Sequence, residues 1–199
     1  MLFRSFCGIA NFVSGAIYRR VFWRDRRECA SFIFPDFMVL DVGTGNGLFA
    51  KAIEEKCGAR VICLDLADQT EVDVDLAIYD GLNFPFPNNT FDVVIFSFVL
   101  HHCVHQDVLI DEAKRICRGR IIVFEDNSAG MVGRLYTHLH EIVYSWQYDV
   151  KSPFLFRTQA QWKEFFEAHG LEICYQGRKW TSDAWYYHVK KLMFVLQPV

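Results

Sequence analysis

The chain has 199 residues, 52% of them apolar, and a formal net charge of −3. This length and apolar share suit one domain with a sizeable core and exclude a disordered polar chain. The acidic balance gives no general attraction to nucleic acid, and the seven cysteines, an odd set without paired CxxC spacing, favour free and mostly buried thiols in a reducing compartment over a disulfide framework.

Residues 1–27 hold six arginines (Arg4, Arg19, Arg20, Arg24, Arg26 and Arg27) against one acid, Asp25. Between them Phe6, Ile9, Phe12, Val13, Ala16, Ile17 and Tyr18 recur at near-helical spacing. The run Phe6–Tyr18 is too short to span a bilayer, and no small-residue cleavage site follows it. Three readings fit this segment: a helix packed over a ligand site, an interfacial membrane helix with its arginines among the headgroups, or a basic targeting peptide. We therefore divide the chain into a basic, aromatic helical segment over 1–30 and a main domain over 31–199. The expected location is cytoplasmic, and membrane-peripheral if the first helix lies in an interface.

The main domain opens with a predicted buried strand, Met38–Val42, running into Gly43-Thr44-Gly45-Asn46-Gly47. A helix over Leu48–Cys57 follows, with Gly58 placed to end it. Alternating glycines let a ligand approach the backbone, and the helix N-terminus offers N–H groups to a negative charge. Arg60–Leu64 predicts a second strand, ended by Asp65, whose carboxylate can accept both hydroxyls of a ribose. Gly45-x-Gly47-x-x-Ala50 also fits the loose dinucleotide pattern. Against that reading, Asp41 just before the turn would repel a pyrophosphate. It suits a ligand with an amine at that place, such as S-adenosylmethionine.

Farther along, Ala67–Val74 is too short for a crossover helix plus a strand, so a brief third strand, Asp75–Tyr79, is expected after a short link. Phe84–Asn89 reads as a proline-stiffened loop. Phe91–Phe98 is a continuous apolar run, as in a central parallel strand buried on both faces. Gln106–Cys117 is a predicted helix with Val108, Leu109, Ala113 and Ile116 inward, and Arg120–Phe124 a fifth strand closed by Glu125 and Asp126. Met131–Trp146 shows helical spacing. Thr158-x-x-Gln161 is a capping box opening a late helix that Gly170 stops. Leu171–Tyr175 and Trp185–Leu196 read as a closing pair of strands.

Asp41–Gly47 resembles the first motif of the class I S-adenosylmethionine-dependent methyltransferases, and the likeness continues in order. Asp65 matches the ribose-binding acid, Asp80–Phe86 the adenine-holding segment, Phe91–Ser97 the fourth strand, and Leu100-His101-His102 the turn after it. Arg115–Val123 resembles the passage into the fifth strand, with the usual double glycine reduced to Gly119. Gln161–Phe166 through Gly170-Leu171 resembles the late helix and sixth strand. The likeness covers residues 38–197 and is nearest to the small-molecule and quinone-biosynthesis enzymes. It implies a doubly wound, Rossmann-like α/β fold with a seven-stranded sheet whose last strand is antiparallel. It also implies S-adenosylmethionine as cofactor, with Asp41, Gly43, Thr44, Gly45, Gly47, Asp65, Leu66, Asp80, Gly81, Leu82 and Ser97 around it.

Methyl transfer needs an aligned nucleophile and often the removal of its proton. His101 and His102 leave the end of the fourth strand and are the candidate catalytic residues, with a purely structural hydrogen bond as the other reading. Glu125 and Asp126 stand where they could orient an acceptor. His138, His140 and Glu141 lie on the Met131–Trp146 segment, without further spacing for a metal, so no metal is expected. The fourth strand is not followed by the Asn/Asp-Pro-Pro-aromatic turn of methyltransferases acting on amides or exocyclic amines, and no Pro-Cys dipeptide offers a nucleophile for cytosine C5. This argues against DNA and leaves a protein substrate open. The expected partner is a small hydrophobic or lipid-like acceptor, with no nucleic acid. Two alternatives stay open at this point: a non-catalytic cofactor-binding scaffold of the same fold, and a nicotinamide-dependent oxidoreductase.

Overall fold

The computed structural model describes residues 27–130, positions 133, 135, 137 and 138, and residues 155–177, 180–181 and 189–199. Most of the N-terminal segment lies outside the described residues, as do His140, Glu141 and most of Met131–Trp146. The elements in chain order are β1 (Met38–Val42), α1 (Leu48–Cys57), β2 (Arg60–Asp65), β3 (Asp75–Ile78), β4 (Phe91–Ser97), α2 (Gln106–Ile116) and β5 (Cys117–Asn127). Then come α3 (Gln159–Ala168), β6 (Leu171–Gln176), β7 (Trp180–Thr181) and β8 (Lys190–Pro198).

The strands form one sheet in the order β3-β2-β1-β4-β5-β8-β6, with the two-residue β7 pairing on β8. Strands β1 to β5 run parallel, and β8 runs antiparallel between β5 and β6. Apart from β7, this is the seven-stranded sheet with an antiparallel last strand that the resemblance implied. The order reverses between β1 and β4, and at such a switch point the carboxyl ends of the strands leave a crevice for a ligand.

Each central strand feeds two cores, because successive side chains point to opposite faces. Leu40, Val94 and Val123 join Leu109, Ile110, Ala113 and Ile116 of α2 and Trp162 and Phe166 of α3. Val39, Ile95 and Phe124 join Phe49, Ala50 and Ile53 of α1 on the other face. Burying an aliphatic or aromatic side chain of this kind contributes about 1.5–3 kcal/mol, so the three layers fix the sheet ends firmly.

At the amino end of the sheet Asp92 accepts Arg118 Nε and Nη2 at 2.7 and 2.8 Å and the Met38 N–H at 2.9 Å. A Cβ on Gly119 would lie 2.2 Å from the Asp92 carbonyl oxygen, so this glycine permits a close approach of β5 to β4.

Three expectations are adjusted. Val108 is not inward but 39% exposed, because α2 turns Leu109, Ile110, Ala113 and Ile116 to the sheet and Val108 falls one step off that stripe. β5 spans Cys117–Asn127, longer than Arg120–Phe124, since β4 and β8 pair along its extra length. β8 begins at Lys190 and runs to Pro198, while positions 182–188 lie outside the described residues. The link from β2 to β3 contains no helix. It is pinned over the glycine turn, where the Glu71 N–H donates to the Asn46 carbonyl at 3.0 Å.

Candidate active site

The glycine turn is held from below by polar contacts that β1 and β2 bring together. Asp41 and Cys63 are direct partners in the parallel register. Thr44 Oγ1 donates to Asp41 Oδ2 at 2.7 Å and lies 3.3 Å from Cys63 Sγ. Asp41 is only 1% exposed. Burial, with the Asp41 charge beside it, pushes the Cys63 thiol up to about 12, so this cysteine stays a neutral packing group.

The glycines of the turn do different work. A Cβ on Gly43 would meet Val99 Cγ2 at 2.5 Å, so the missing side chain makes room for the turn after β4. Gly45 has φ +56 and nothing within 4 Å of where a Cβ would lie, so the space over the turn is open. Gly47 precedes α1, packed against Val72 and Val74 of the β2–β3 link.

Asp65 stands at the end of β2 beside that turn. Its Oδ2 accepts the Gly45 N–H at 2.8 Å and its Oδ1 the Leu66 N–H at 2.7 Å. A carboxylate has about four lone-pair sites, so it can take ribose hydroxyls in addition. Leu66 is 61% exposed, and a Cβ on Gly81 would lie 3.3 Å from its Cδ2. Leu82 is also exposed. Asp80 Oδ1 accepts the Leu82 and Asn83 N–H groups at 2.8 and 2.7 Å, and Oδ2 accepts Asn83 Nδ2 at 2.7 Å. Those bonds, led by Asn83, hold its carboxyl down at about 2. Open space over Gly45, an acid bonded to that turn and exposed leucines flanking a second acid fit the amino acid, ribose and base of a nucleoside cofactor. Ser97 ends β4.

On the other side of the β4 end, the structure brings His101 and Glu125 together. His101 Nδ1 lies 2.6 Å from Glu125 Oε2, and the His101 N–H donates to Glu125 Oε1 at 3.3 Å. Their side chains are 2% and 0% exposed. His101 stacks on Phe156 with centroids 4.7 Å apart, and half-buried His102 packs against it at 4.1 Å. The two candidate histidines therefore differ: His101 is enclosed, and His102 keeps some surface. Sequence reasoning marked Glu125 but not its pairing with His101, and it passed over Phe156, Arg157 and Gln106. Strand alternation was the available signal, since it puts Glu125 on the face of Ile121 and Val123.

Asp126 points to the opposite face, opposite Lys191 of β8. Lys191 Nζ lies 4.5 Å from the centre of the Phe98 ring. Phe98 has φ +60, an uncommon conformation for a bulky residue, held by its N–H to the Phe124 carbonyl at 2.9 Å. Strain of this kind concentrates at functional sites. At the end of β5, Asn127, Ala129, Thr158, Gln159, Ala160 and Lys163 line a groove of about 370 Å³. Among the described residues, no group of three or more His, Cys, Asp or Glu could hold a metal, and no helix is long and apolar enough to cross a membrane.

The strand order, the glycine turn and the acid at the end of β2 together define a Rossmann-like nucleoside-binding domain of the methyltransferase type. Comparison with known proteins agrees. The family described as "Methyltransferase domain" matches residues 40–123. The ubiquinone/menaquinone biosynthesis C-methyltransferase UbiE of Paraburkholderia phytofirmans is 29% identical over 131 residues, 58% of this chain and 53% of that protein. The chain thus spans about half the length of the curated relatives it matches. Among solved structures, the complex between the Haloferax volcanii Trm112 methyltransferase activator and the putative methyltransferase contains a chain that aligns with TM-score 0.70. The two share 17% identity over 96% of each. A SAM-dependent methyltransferase from Aquifex aeolicus aligns with TM-score 0.61 and 14% identity, over 87% of this chain and 89% of that one. At those identities the structures speak for the fold. Residues 40–123 match a methyltransferase domain, and the sheet order gives the chain the fold of the class I S-adenosylmethionine-dependent methyltransferases, a family whose cofactor is S-adenosylmethionine.

Proposed function

We propose that the chain transfers the methyl group of S-adenosylmethionine to a small hydrophobic or lipid-like acceptor. The observation that carries the cofactor side is the open space over Gly45, whose N–H is bonded to the Asp65 carboxylate. In this reading Gly45, Gly47 and Thr44 lie along the methionine part, with Gly43 shaping the turn for it. Asp41 supplies negative charge near the amine, from beneath the turn. Asp65 takes the ribose, and Leu66, Asp80, Gly81 and Leu82 take the adenine, while Ser97 lies on the methyl side.

Bound S-adenosylmethionine supplies an electrophilic sulfonium methyl. The protein's task is then to align the acceptor and exclude water. His102, which keeps some surface in the turn after β4, is proposed to meet the acceptor's proton; His101 serves that turn from within. Phe98 and Phe156 place aromatic surface near the carboxyl ends of β4 and β5. That surface supports a hydrophobic acceptor, as does the likeness to enzymes named for quinone methylation. The helix-free β2–β3 link favours a second reading, a cofactor-binding scaffold without turnover.

Calorimetric titration with S-adenosylhomocysteine and with NAD comes first, on wild type and Asp65→Ala. Transfer of labelled methyl from S-adenosylmethionine to quinols, lipid extracts, peptides and RNA follows. Labelling of quinols or lipids supports the proposal. Labelling of peptide or RNA alone would sink the acceptor assignment, and tight binding without any transfer would leave the scaffold reading.

A further inference from the structure

We propose that Glu125 and His101 are positioning residues of the acceptor side. Buried together, they hold the segment Leu155–Gln159, whose Phe156 lies with His102 against the His101 ring at the end of β4, where the acceptor sits. The inference rests on the methyltransferase reading above and adds the place of the acceptor and the device that shapes it.

Glu125 is fully enclosed, and a carboxylate in such a place is tolerated only when it is paired and hydrogen-bonded. Both of its oxygens are spent on one residue, His101. That ties β5 to the turn after β4. His101 in turn holds the incoming segment. Its carbonyl accepts the Leu155 N–H at 3.1 Å, and its ring lies against Phe156 at an interplanar angle of 21°.

The far end of the segment is fastened as firmly. The Arg157 carbonyl accepts the Ser128 N–H at 3.2 Å, and the Gln159 N–H donates to Asn127 Oδ1 at 3.0 Å. The Arg157 guanidinium bonds Gln106 Oε1 and lies over the rings of Trp162 and Phe165, at 4.8 and 4.4 Å. Gln106 itself donates to the Leu100 carbonyl at 2.6 Å. The segment is therefore a bracket across the carboxyl ends of β4 and β5, with His101–Glu125 at its inner end.

Thr158 and Gln159 of the bracket line the groove at the end of β5 together with Asn127 and Ala129. β4 lies beside β1, so the turn after β4 stands one strand spacing, roughly 5 Å, to the side of the glycine turn. A cofactor bound across β1 and β4 can present its methyl toward it. The cofactor-side contacts, Asp41–Thr44, Asp65–Gly45 and Asp80–Asn83, share no residue with the bracket network. Loosening the bracket should therefore act on the acceptor and leave the cofactor alone.

The test is amide hydrogen exchange on the full chain, with Glu125→Gln, His101→Asn and the charge-keeping Glu125→Asp, alongside calorimetry with S-adenosylhomocysteine. In the first two variants the Leu155 and Gln159 amides should exchange roughly tenfold faster or more, while those of β1 and β4 keep their protection. Affinity for S-adenosylhomocysteine should stay within about twofold of wild type, and Glu125→Asp should fall between. With a short-chain naphthoquinol as methyl acceptor, KM should rise more than kcat falls. Unchanged exchange at Leu155 and Gln159 would overturn the proposal, and so would faster exchange spread equally over β1 and β4, which marks plain destabilisation. A wild type that fails to bind S-adenosylhomocysteine would count against the methyltransferase reading instead, whatever the bracket does.

Discussion

The Gly45 N–H donates to Asp65 Oδ2 at 2.8 Å, so the acid that ends β2 is bonded to the turn that follows β1. One side chain thereby holds the turn whose Gly45 faces open space. Asp65→Ala removes an acceptor from the Gly45 N–H and a partner from the ribose. Losing a charged hydrogen-bond partner costs about 1.5–3 kcal/mol, so affinity for S-adenosylhomocysteine should fall roughly 10–100-fold. Asp65→Asn, which keeps one carbonyl oxygen, should lie between. Calorimetry reads both, and an unchanged affinity in Asp65→Ala would remove Asp65 from the site.

Two glycines two positions apart should respond to the same substitution differently. Gly43→Ala drives a methyl to 2.5 Å from Val99 Cγ2, while Gly45→Ala meets nothing. Both sit at positive φ, where a non-glycine residue costs about 1–2 kcal/mol. Gly43→Ala should therefore lower Tm by more than that strain alone, and Val99→Ala should restore part of the loss. Gly45→Ala should lose only the strain, yet bind S-adenosylhomocysteine poorly because its methyl enters the open space over the turn. Equal Tm losses, or normal binding by Gly45→Ala, would contradict this division of labour.

Acid should destabilise the fold through three carboxylates. Asn83 and Leu82 hold Asp80 at about 2, Arg118 holds Asp92 below the usual range, and Arg115 does the same for Glu112. A carboxyl depressed in the folded state adds stability above its unfolded pKa, near 4, and loses it as pH falls through the folded value. Stability against urea should thus drop from about pH 4 toward pH 2, less steeply at high salt, since these groups lie near the surface. Asp92→Asn and Glu112→Gln should each flatten the decline. A flat profile down to pH 2, or unaltered slopes in the variants, would refute the assignment.

Thr158 caps α3 in both directions: its Oγ1 accepts the Gln161 N–H at 3.3 Å and its N–H donates to Gln161 Oε1 at 2.9 Å. Thr158→Ala should cost about 1 kcal/mol, a Tm loss of roughly 2–4 °C for a domain of this size. Thr158→Ser should recover most of it. A Tm unmoved by Thr158→Ala would show that the helix start is held by its packing alone.

Features that depend on near neighbours were legible in the chain. The Thr158–Gln161 capping box was readable because its partners are one helical turn apart. The apolar run Phe91–Phe98 announced a strand buried on both faces, and β4 is that strand save its last residue. The short link after Asp65 announced a crossover without a helix. Val108 was misplaced because an apolar residue beside an inward stripe cannot be told from one within it until the helix is set against the sheet. The ends of β5 were missed because pairing with β4 and β8, rather than local preference, extends it.

The α/β order and the glycine turn with its acids are legible along the chain, because they rest on strand and helix periodicity and on short spacings, while the cofactor follows from the resemblance those ordered motifs carry. Folding alone brings His101 onto Glu125, 24 positions away, sets Gly43 against Val99 while leaving the space over Gly45 open, and lays Arg157 over Trp162 and Phe165. Those contacts are made where parallel strands end side by side. Which residues meet there is set by sheet order and register, and these arise from burying both faces of the sheet at once.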